Sequence, residues 1–346
     1  MITRIKEAHH IIRVSDPKAP YSAQIADVMD KAIALSEGKK IFFLRFFLSD
    51  SANQQDFLEK AMAERGLSDA SVIQQPPLDG SKIAAWLWTV EGNLNPAYIH
   101  KVTYNLVSNA PDSLEQMSDI FSAYDNQLHE DGMKVADDCV RTWIFVRDVD
   151  TNYAGVVVGR RNYFDAIGLT PDTHYIASTG IQGSHKDYKK VVVMDAYAVK
   201  GLHPDQIQYL QAKDNLNPTY EYGVTFERGT SIQYGDRKHI FISGTASIDN
   251  KGQILHVGDV RNQAIRMMDN IAALLAEAEA GISDIKSSIL YLRDVSDYAV
   301  ISDLFKERWP ELDPVFVQAP VCRPGWLIEM ECVASVMKNY PEVSNL

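Results

Sequence analysis

The hydrophobic positions of this chain form a strand-and-helix pattern that occurs three times. A run of β-branched and aromatic residues, typical of a buried strand, changes to helical periodicity at an aspartate, and two more apolar runs follow. The aspartate can cap the new helix because its side chain accepts hydrogen bonds from the first backbone N–H groups. The strands are predicted at 41–50, 141–150 and 287–297, and the helices that follow them at 52–65, 153–167 and 298–309.

Another helix is predicted before each of these strands, at 22–36, 114–128 and 260–280. A hairpin with its turn at 250–252 precedes the last helix, so the third copy reads β-β-β-α-β-α-β-β. The second copy shows the same order of elements less clearly, and the first copy has no convincing strands before its first helix. The pattern predicts an α+β chain with units at 1–95, 96–200 and 223–346 and a polar linker at 201–222.

Charge and composition narrow the function classes. The chain has 346 residues and a net charge of −12, which argues against a nucleic-acid clamp but not against a small anionic substrate. Its three cysteines show no CxxC spacing, and no dinucleotide, phosphate-loop or zinc motif is found, so neither a cofactor nor a metal site is predicted. The sequence starts without a signal-like segment and has no run long enough to span a membrane, so we expect a reduced, cytoplasmic protein.

The third unit resembles the YjgF-like (Rid) domains. The resemblance spans 225–336 and rests on FERGTSIQYGDRKHIFISGTASIDNKGQI, GISDIKSSILYLRDVSDY and WLIEMECVA. Domains of that family form trimers with clefts between neighbours. The resemblance therefore implies that three repeated YjgF-like (Rid/chorismate-mutase-like) units imitate such a trimer within one chain, as a monomer or weak oligomer.

A longer resemblance, over roughly 141–336, is to the chorismatases. It adds the second-unit stretch RTWIFVRDVDTNYAGVVVGRRNYFDAIGLTPDTHYIASTGIQG. Chorismatases cleave the enolpyruvyl ether of chorismate to pyruvate and either a hydroxybenzoate or a dihydroxycyclohexadienoate. The resemblance implies the same activity and a small anionic substrate.

Glu329 is the first candidate catalytic residue. In WLIEMECVA, Glu329 and Glu331 share one strand face, since side chains alternate along a strand. Burial and mutual repulsion would keep one of them protonated near neutral pH, as a general acid requires. In Rid proteins and chorismatases the first glutamate of this pattern lies in the cleft, which implies Glu329. The alternative is a solvated pair on an exposed strand.

Cys322 and Arg323 lie at the connection before this strand. Chorismatases that form 3-hydroxybenzoate carry a cysteine seven residues before the catalytic glutamate, and Cys322 precedes Glu329 by seven. The resemblance implies that Cys322 contacts a ring intermediate and favours 3-hydroxybenzoate as product. The alternative for Cys322 is a small buried thiol.

Five further residues are candidates for substrate binding. Arg160 follows Tyr153 by roughly two helical turns, so the two can share a helix face, and the resemblance implies ligand contacts for both. Arg228 lies where Rid proteins place a loop beside the ligand. Gly244 and Ala246 would border the cleft, and which of them matches the Gly-or-Ala position that differs between chorismatase subtypes stays open. The alternative for Arg160 is an exposed position on an amphipathic helix.

Two other functions stay open at this stage. The first is a Rid-type enamine/imine deaminase, but those enzymes carry an arginine on the strand that here reads DPVFVQAP. The second is a non-catalytic metabolite-binding protein, because a fold does not fix a function. This second reading would gain support if Glu329 and Glu331 both faced bulk solvent.

Overall fold

Three mixed β-sheets with helices packed on them make up the chain. The computed structural model describes residues 5–346, and residues 1–4, at the start of the predicted first unit, lie outside the described residues. The predicted α+β class and the repetition of one unit are confirmed over the described part of the chain.

The first sheet has the strand order β1-β4-β2-β3, in which only β2 and β3 run parallel. The single early strand, β1, was not predicted by the sequence pattern. The elements are β1 (Lys6–Arg13), α1 (Tyr21–Ser36), β2 (Lys40–Leu48), α2 (Ser51–Glu64), β3 (Ser71–Gln74) and β4 (Ile83–Glu91).

The second sheet repeats this arrangement as β5-β8-β6-β7, again with one parallel pair, β6 and β7. Its elements are β5 (Ile99–Leu106), α3 (Ser113–Glu130), α4 (Val135–Asp138), β6 (Cys139–Val146), α5 (Val149–Ala166), β7 (Ala177–Gln182) and β8 (Val192–Lys200).

The third sheet is extended by two strands to β13-β12-β14-β11-β10-β9. Its edge strand β9 comes from the segment 201–222 that the sequence pattern presents as a linker. The turn at 250–252 is followed by an isolated bridge between Ile248 and Ile254, where a full second hairpin strand was expected. The elements are β9 (Ile207–Leu210), β10 (Gly229–Tyr234), β11 (Arg237–Ala246), α6 (Val260–Glu277), β12 (Ile285–Leu292), α7 (Tyr298–Arg308), β13 (Val315–Gln318) and β14 (Ile328–Met337).

Aspartates start several of these helices. Asp50 accepts a hydrogen bond from the backbone N–H of Asn53 at the start of α2, and Asp259 does the same for Asn262 at the start of α6. Both satisfy backbone donors that would otherwise lack a partner in the helix.

The three units close into a ring through a repeated backbone contact. The short parallel strand of each unit ends in a glutamine whose N–H donates to a carbonyl of another unit, and this relation runs around all three units. The pairs are Gln74 to Ser184 (2.9 Å), Gln182 to Pro320 (3.2 Å) and Gln318 to Pro76 (2.8 Å). The internal pseudo-trimer expected from the repeats is therefore the observed architecture.

One large hydrophobic core fills the centre of this ring and draws residues from all three sheets, including Trp86, Trp143 and Phe241. Separate cores lie between the sheet and helices of the first unit and of the second unit. Because the inner sheet faces meet at the centre, polar side chains from different units come within contact distance of one another there. Among residues 5–346, no helix combines the length and apolar character that crossing a membrane requires.

Candidate active site

A cavity with an empty volume of about 510 Å³ lies between the second and third units. The second unit contributes α5 and β7, and the third contributes the segment before β10, the end of β11, the connection before β14, and β14 itself. The lining residues are Tyr153, Arg160, Ser178, Gly180, Val224, Phe226, Arg228, Gly244, Ala246, Ile248, Cys322, Arg323, Trp326 and Glu329.

All eight residues singled out from the sequence line this one cavity. Two distant parts of the chain are brought together, since Tyr153 and Arg160 come from α5 and the other six from the third unit. Their catalytic and binding roles remain predictions, because the arrangement gives proximity and not activity.

Glu329 is buried at the second position of β14. Its side chain is 5% exposed, and its backbone pairs with Tyr291 on one side and Ala246 on the other. Burial, reinforced by the nearby carboxylate of Glu331, raises the pKa of Glu329 to about 8, against the opposing charges of Arg228 and Arg141. At neutral pH this side chain is therefore mainly a neutral carboxylic acid.

Two glycines make room for functional side chains. A Cβ on Gly244 would lie 2.8 Å from the carboxyl carbon of Glu329, and a Cβ on Gly180 would lie 2.8 Å from the ring of Tyr153. Both distances are shorter than real Cβ contacts, so only glycine fits without moving the neighbour. These two glycines thus let Glu329 and Tyr153 lie against the backbone.

Cys322 forms a hydrogen bond with the hydroxyl of Tyr153 and lies near the carboxyl of Glu329. Burial and the proximity of Glu329 raise the pKa of the Cys322 thiol to about 12, although the Tyr153 hydrogen bond acts in the opposite direction. A thiol in this state is not a ready nucleophile, since the thiolate is the reactive form.

Two arginines converge on the cavity from different units. Arg160 is 1% exposed, and its Nε donates to Thr225 Oγ1 at 3.1 Å, while Arg228 Nη2 donates to the Asn217 carbonyl at 3.0 Å. Both guanidinium groups lie over the ring of Phe226, at 5.9 and 5.6 Å from its centroid. The exposed-helix alternative for Arg160 is therefore wrong.

Arg323 also lines the cavity and is only partly buried, with its guanidinium 5.3 Å from the centroid of the Trp326 ring. Three cationic side chains thus border a cavity that also holds a neutral acid. This arrangement suits a ligand with more than one carboxylate.

Glu331 shares the strand face of Glu329 but lies in a different environment. Arg141 Nη2 and Trp143 Nε1 donate to its two oxygens at 2.9 and 2.8 Å. Arg45 of the first unit is 3.9 Å away and pairs at 2.8 Å with Asp195. The two glutamates of WLIEMECVA are therefore both buried, one in the cavity and the other in an ion-paired network.

Six lining residues are not among these eight: Ser178, Gly180, Val224, Phe226, Ile248 and Trp326. No pattern distinguishes the four apolar side chains, Val224, Phe226, Ile248 and Trp326, from ordinary core residues. The only signal is that Phe226 and Trp326 lie within a few positions of Arg228 and Arg323, whose guanidinium groups they contact.

Glu329 has no acidic counterpart in the other units. The three parallel strand pairs end in matching pairs, Leu48 with Gln74, Val146 with Gln182 and Leu292 with Gln318, which aligns the units. In that alignment the position of Glu329 is occupied by Ala84 and Val193, and that of Glu331 by Trp86 and Asp195. Of the described clefts, the one between units two and three is the one that carries this acid.

Among the described residues, no group of three or more His, Cys, Asp or Glu side chains is arranged to hold a metal ion.

Known proteins resemble this chain at two levels. The sequence profile of the family described as endoribonuclease L-PSP matches residues 231–336. A RutC family protein of Pyrococcus abyssi is 35% identical over 97 residues, which are 28% of this chain and 76% of the relative. The 3-aminoacrylate deaminase RutC of Acinetobacter baylyi is 31% identical over 99 residues, 28% of this chain and 79% of that protein.

The carboxy-terminal part therefore makes this chain a member of the RutC family, as the YjgF-like (Rid) resemblance indicated. At the level of the whole chain, a crystal structure of a chorismatase superimposes with a TM-score of 0.69, covering 96% of this chain and 100% of that one at 16% sequence identity. The chain thus has the chorismatase fold, with a Rid-like domain at its carboxy-terminal end.

Proposed function

We propose that this protein cleaves the enolpyruvyl ether of chorismate, releasing pyruvate and a hydroxybenzoate. The observation that carries the proposal is Glu329, a buried carboxylic acid whose pKa is raised to about 8, in a cavity lined by arginines. The chorismatase fold over nearly the whole chain supports the same reading. A dihydroxycyclohexadienoate is the alternative ring product.

The neutral acid matches the difficult step of this reaction. Glu329 gives its proton to the methylene carbon of the enol ether, and the ether carbon becomes an oxocarbenium centre. The bond between the ring carbon and the ether oxygen then breaks, its electrons stay on the oxygen, and pyruvate leaves. For 3-hydroxybenzoate, the oxygen of the neighbouring ring hydroxyl bonds to the carbon that lost the ether oxygen and gives its proton to Glu329, which forms an epoxide. The original bond of that oxygen to carbon then breaks, the carbon that keeps the oxygen loses its proton as the ring becomes aromatic, and the oxygen takes up a proton. The two products contain all atoms of chorismate, so the hydroxybenzoate route consumes no water, whereas the diol route requires one.

The arginines suit the charge of this substrate. Chorismate carries two carboxylates, and Arg160, Arg228 and Arg323 come to the cavity from three different segments of the chain. We assign Arg160 and Arg228 to one carboxylate and Arg323 to the other, because the first two share the Phe226 side of the cavity and Arg323 lies beside Trp326. Tyr153, Gly244 and Ala246 shape the space between them.

Cys322 favours 3-hydroxybenzoate as the product. It lies in the cavity seven residues before Glu329, and its thiol is held neutral and bonded to Tyr153. A neutral thiol at this place is suited to contact a ring intermediate, not to attack the substrate. Because the two-unit cleft is formed within one chain, the proposed enzyme needs no second copy for its site.

An enamine deaminase is the second candidate, since one relative of the carboxy-terminal part is a 3-aminoacrylate deaminase. The strand on which the Rid deaminases carry their carboxylate-binding arginine here reads DPVFVQAP, which contains β13 and no arginine. A purely binding function has less support, because Glu329 and Glu331 are both buried and do not face solvent.

The proposal is tested by incubating the protein with chorismate and measuring pyruvate, with Glu329→Gln as the matched variant. We expect pyruvate from the unsubstituted protein and a loss of at least about a hundredfold in the variant. Absence of pyruvate would refute the proposed function. Ammonia release from 2-aminoacrylate in its place would favour the deaminase.

A further inference from the structure

Glu331 is bound by polar groups from the other two units. Arg141 and Trp143 of the second unit donate to it at 2.9 and 2.8 Å, and Arg45 of the first unit is 3.9 Å away. Glu331 is 3% exposed, so these contacts replace water as its solvent.

The first unit takes part in this network although it contributes no residue to the cavity lining. Arg45 donates to Asp195 at 2.8 Å and to Ser71 at 3.1 Å, and its guanidinium lies over aromatic rings of two units. The ion-paired network thus connects Asp195, Arg45, Glu331 and Arg141 in that order, and it contains two carboxyl groups and two guanidinium groups.

Arg141 is also connected to the backbone next to Glu329 through Thr179. Its Nη2 donates to Thr179 Oγ1 at 2.5 Å, and that oxygen accepts the backbone N–H of Gly244, the residue against which Glu329 lies. The positive charge of Arg141 stabilises the ionised form of Glu329 unless a negative charge compensates that of Arg141. Glu331 is the carboxylate that pairs with Arg141.

The charged and titratable groups that surround Glu329 come from every element packed against it. Arg228 and Arg141 favour its carboxylate, and Glu331 favours its neutral form. Cys322 and Tyr291 are neutral neighbours whose own ionisation Glu329 opposes. The remaining cavity groups are Tyr153, Arg160 and Arg323.

We propose that Glu331 is a positioning residue for the acid: paired with Arg141 and supported by Arg45, it compensates the cation beside Glu329 and keeps Glu329 neutral. The strength of the acid therefore depends on contact among all three units. This inference rests on the proposed function only for its kinetic readout, since the protonation of Glu329 can be measured without substrate.

The test compares Glu331→Gln with Asp195→Asn. Asp195 occupies in the second unit the sheet position that Glu331 has in the third, is equally buried, and also pairs with an arginine, but this arginine is Arg45 and not Arg141. Infrared difference spectroscopy follows the protonation of Glu329 as a function of pH. The carboxylic acid band of Glu329 is assigned as the one that is absent in Glu329→Gln. In parallel, kcat/KM for chorismate is measured against pH.

We expect the Glu329 midpoint to move down by at least about one pH unit in Glu331→Gln and to stay in place in Asp195→Asn. Glu331→Asp, which restores the charge, should recover most of the shift. Arg141→Gln, a second variant in case Glu331→Gln does not fold, should move the midpoint upward. An unchanged midpoint in Glu331→Gln, or equal shifts in both carboxylate variants, would overturn the inference. If the band shifts as expected but no variant and no unsubstituted protein releases pyruvate, the proposed function falls and the positioning role of Glu331 stands.

Discussion

Gly244 lies directly against the carboxyl group of Glu329, with room for a hydrogen but not for a methyl group: a Cβ would be 2.8 Å from the Glu329 Cδ. The peptide N–H of Gly244 is in turn fixed by Thr179 at 2.9 Å. The backbone of β11 therefore sets where the acid can lie.

Gly244→Ala should lower kcat by at least about tenfold, because the methyl group must push the carboxyl out of position. We also expect an overpacking cost of about 1–3 kcal/mol in the free energy of unfolding. Pyruvate release and denaturant unfolding measure the two effects. Gly281→Ala is the control, since nothing lies within 4 Å of its Cβ position. Full activity in Gly244→Ala would show that the close approach does not matter for catalysis.

Glu329 should make the protein less stable as the pH rises. Its folded pKa of about 8 lies above the ordinary value of 4.5, so the unfolded chain releases this proton first and stability falls between these two pH values. Glu329→Gln removes the ionisable group and should raise the free energy of unfolding by a few kcal/mol at pH 8.5 and by little at pH 4.5. Thermal melts of both proteins across this range test the prediction. A difference independent of pH would contradict a raised pKa.

Arg160→Gln should raise KM for chorismate by about 10–100-fold, since a charge-assisted hydrogen bond to a carboxylate contributes about 1.5–3 kcal/mol. Arg161→Gln is the matched control, because Arg161 is the next residue on α5 but its guanidinium bonds the Gly223 carbonyl and does not line the cavity. Steady-state kinetics distinguish the two. Equal KM values for both variants would remove Arg160 from the binding site.

Cys322→Ala should continue to release pyruvate while the share of 3-hydroxybenzoate among the ring products falls. The neutral thiol is expected to guide the ring and not to break the ether bond. Chromatography of the products provides the measurement, and Cys139→Ala is the control, because Cys139 is buried beside Tyr124 in the second-unit core. An unchanged product ratio would show that Cys322 only packs in the cavity and does not influence the product.

The sequence predicts the bounds of helices and strands closely where contacts within a single unit determine them. Predicted helices at 52–65 and 298–309 correspond to Ser51–Glu64 and Tyr298–Arg308, because apolar periodicity acts locally. The expected aspartate cap is present at the first of these helices, on Asp50, whereas Asp297 makes no side-chain cap hydrogen bond at the second. Strand β1 was not predicted because its polar residues are covered by side chains distant in the sequence. Glu7 lies against Arg237 and His239 of the third unit, and His9 is stacked on Trp88 of β4.

The same distinction applies to the site. The resemblance and the acidic pair on one strand were enough to single out Glu329. The ion pairs that distinguish Glu331 from Glu329 form only when the chain has folded. Nothing local to WLIEMECVA shows that Arg141 and Arg45, from two other units, pair with Glu331. The wall residue Phe226 was likewise missed because its role depends on two arginines meeting across the unit boundary.

The most direct measurement of the central claim is cleavage of chorismate in deuterium oxide, with the released pyruvate trapped by reduction and analysed by mass spectrometry. Because Glu329 exchanges its proton with solvent and transfers it to the methylene carbon, the account predicts pyruvate that carries one deuterium in its methyl group. It also predicts the loss of this product in Glu329→Gln. Failure to form pyruvate, or pyruvate without deuterium, would contradict the account.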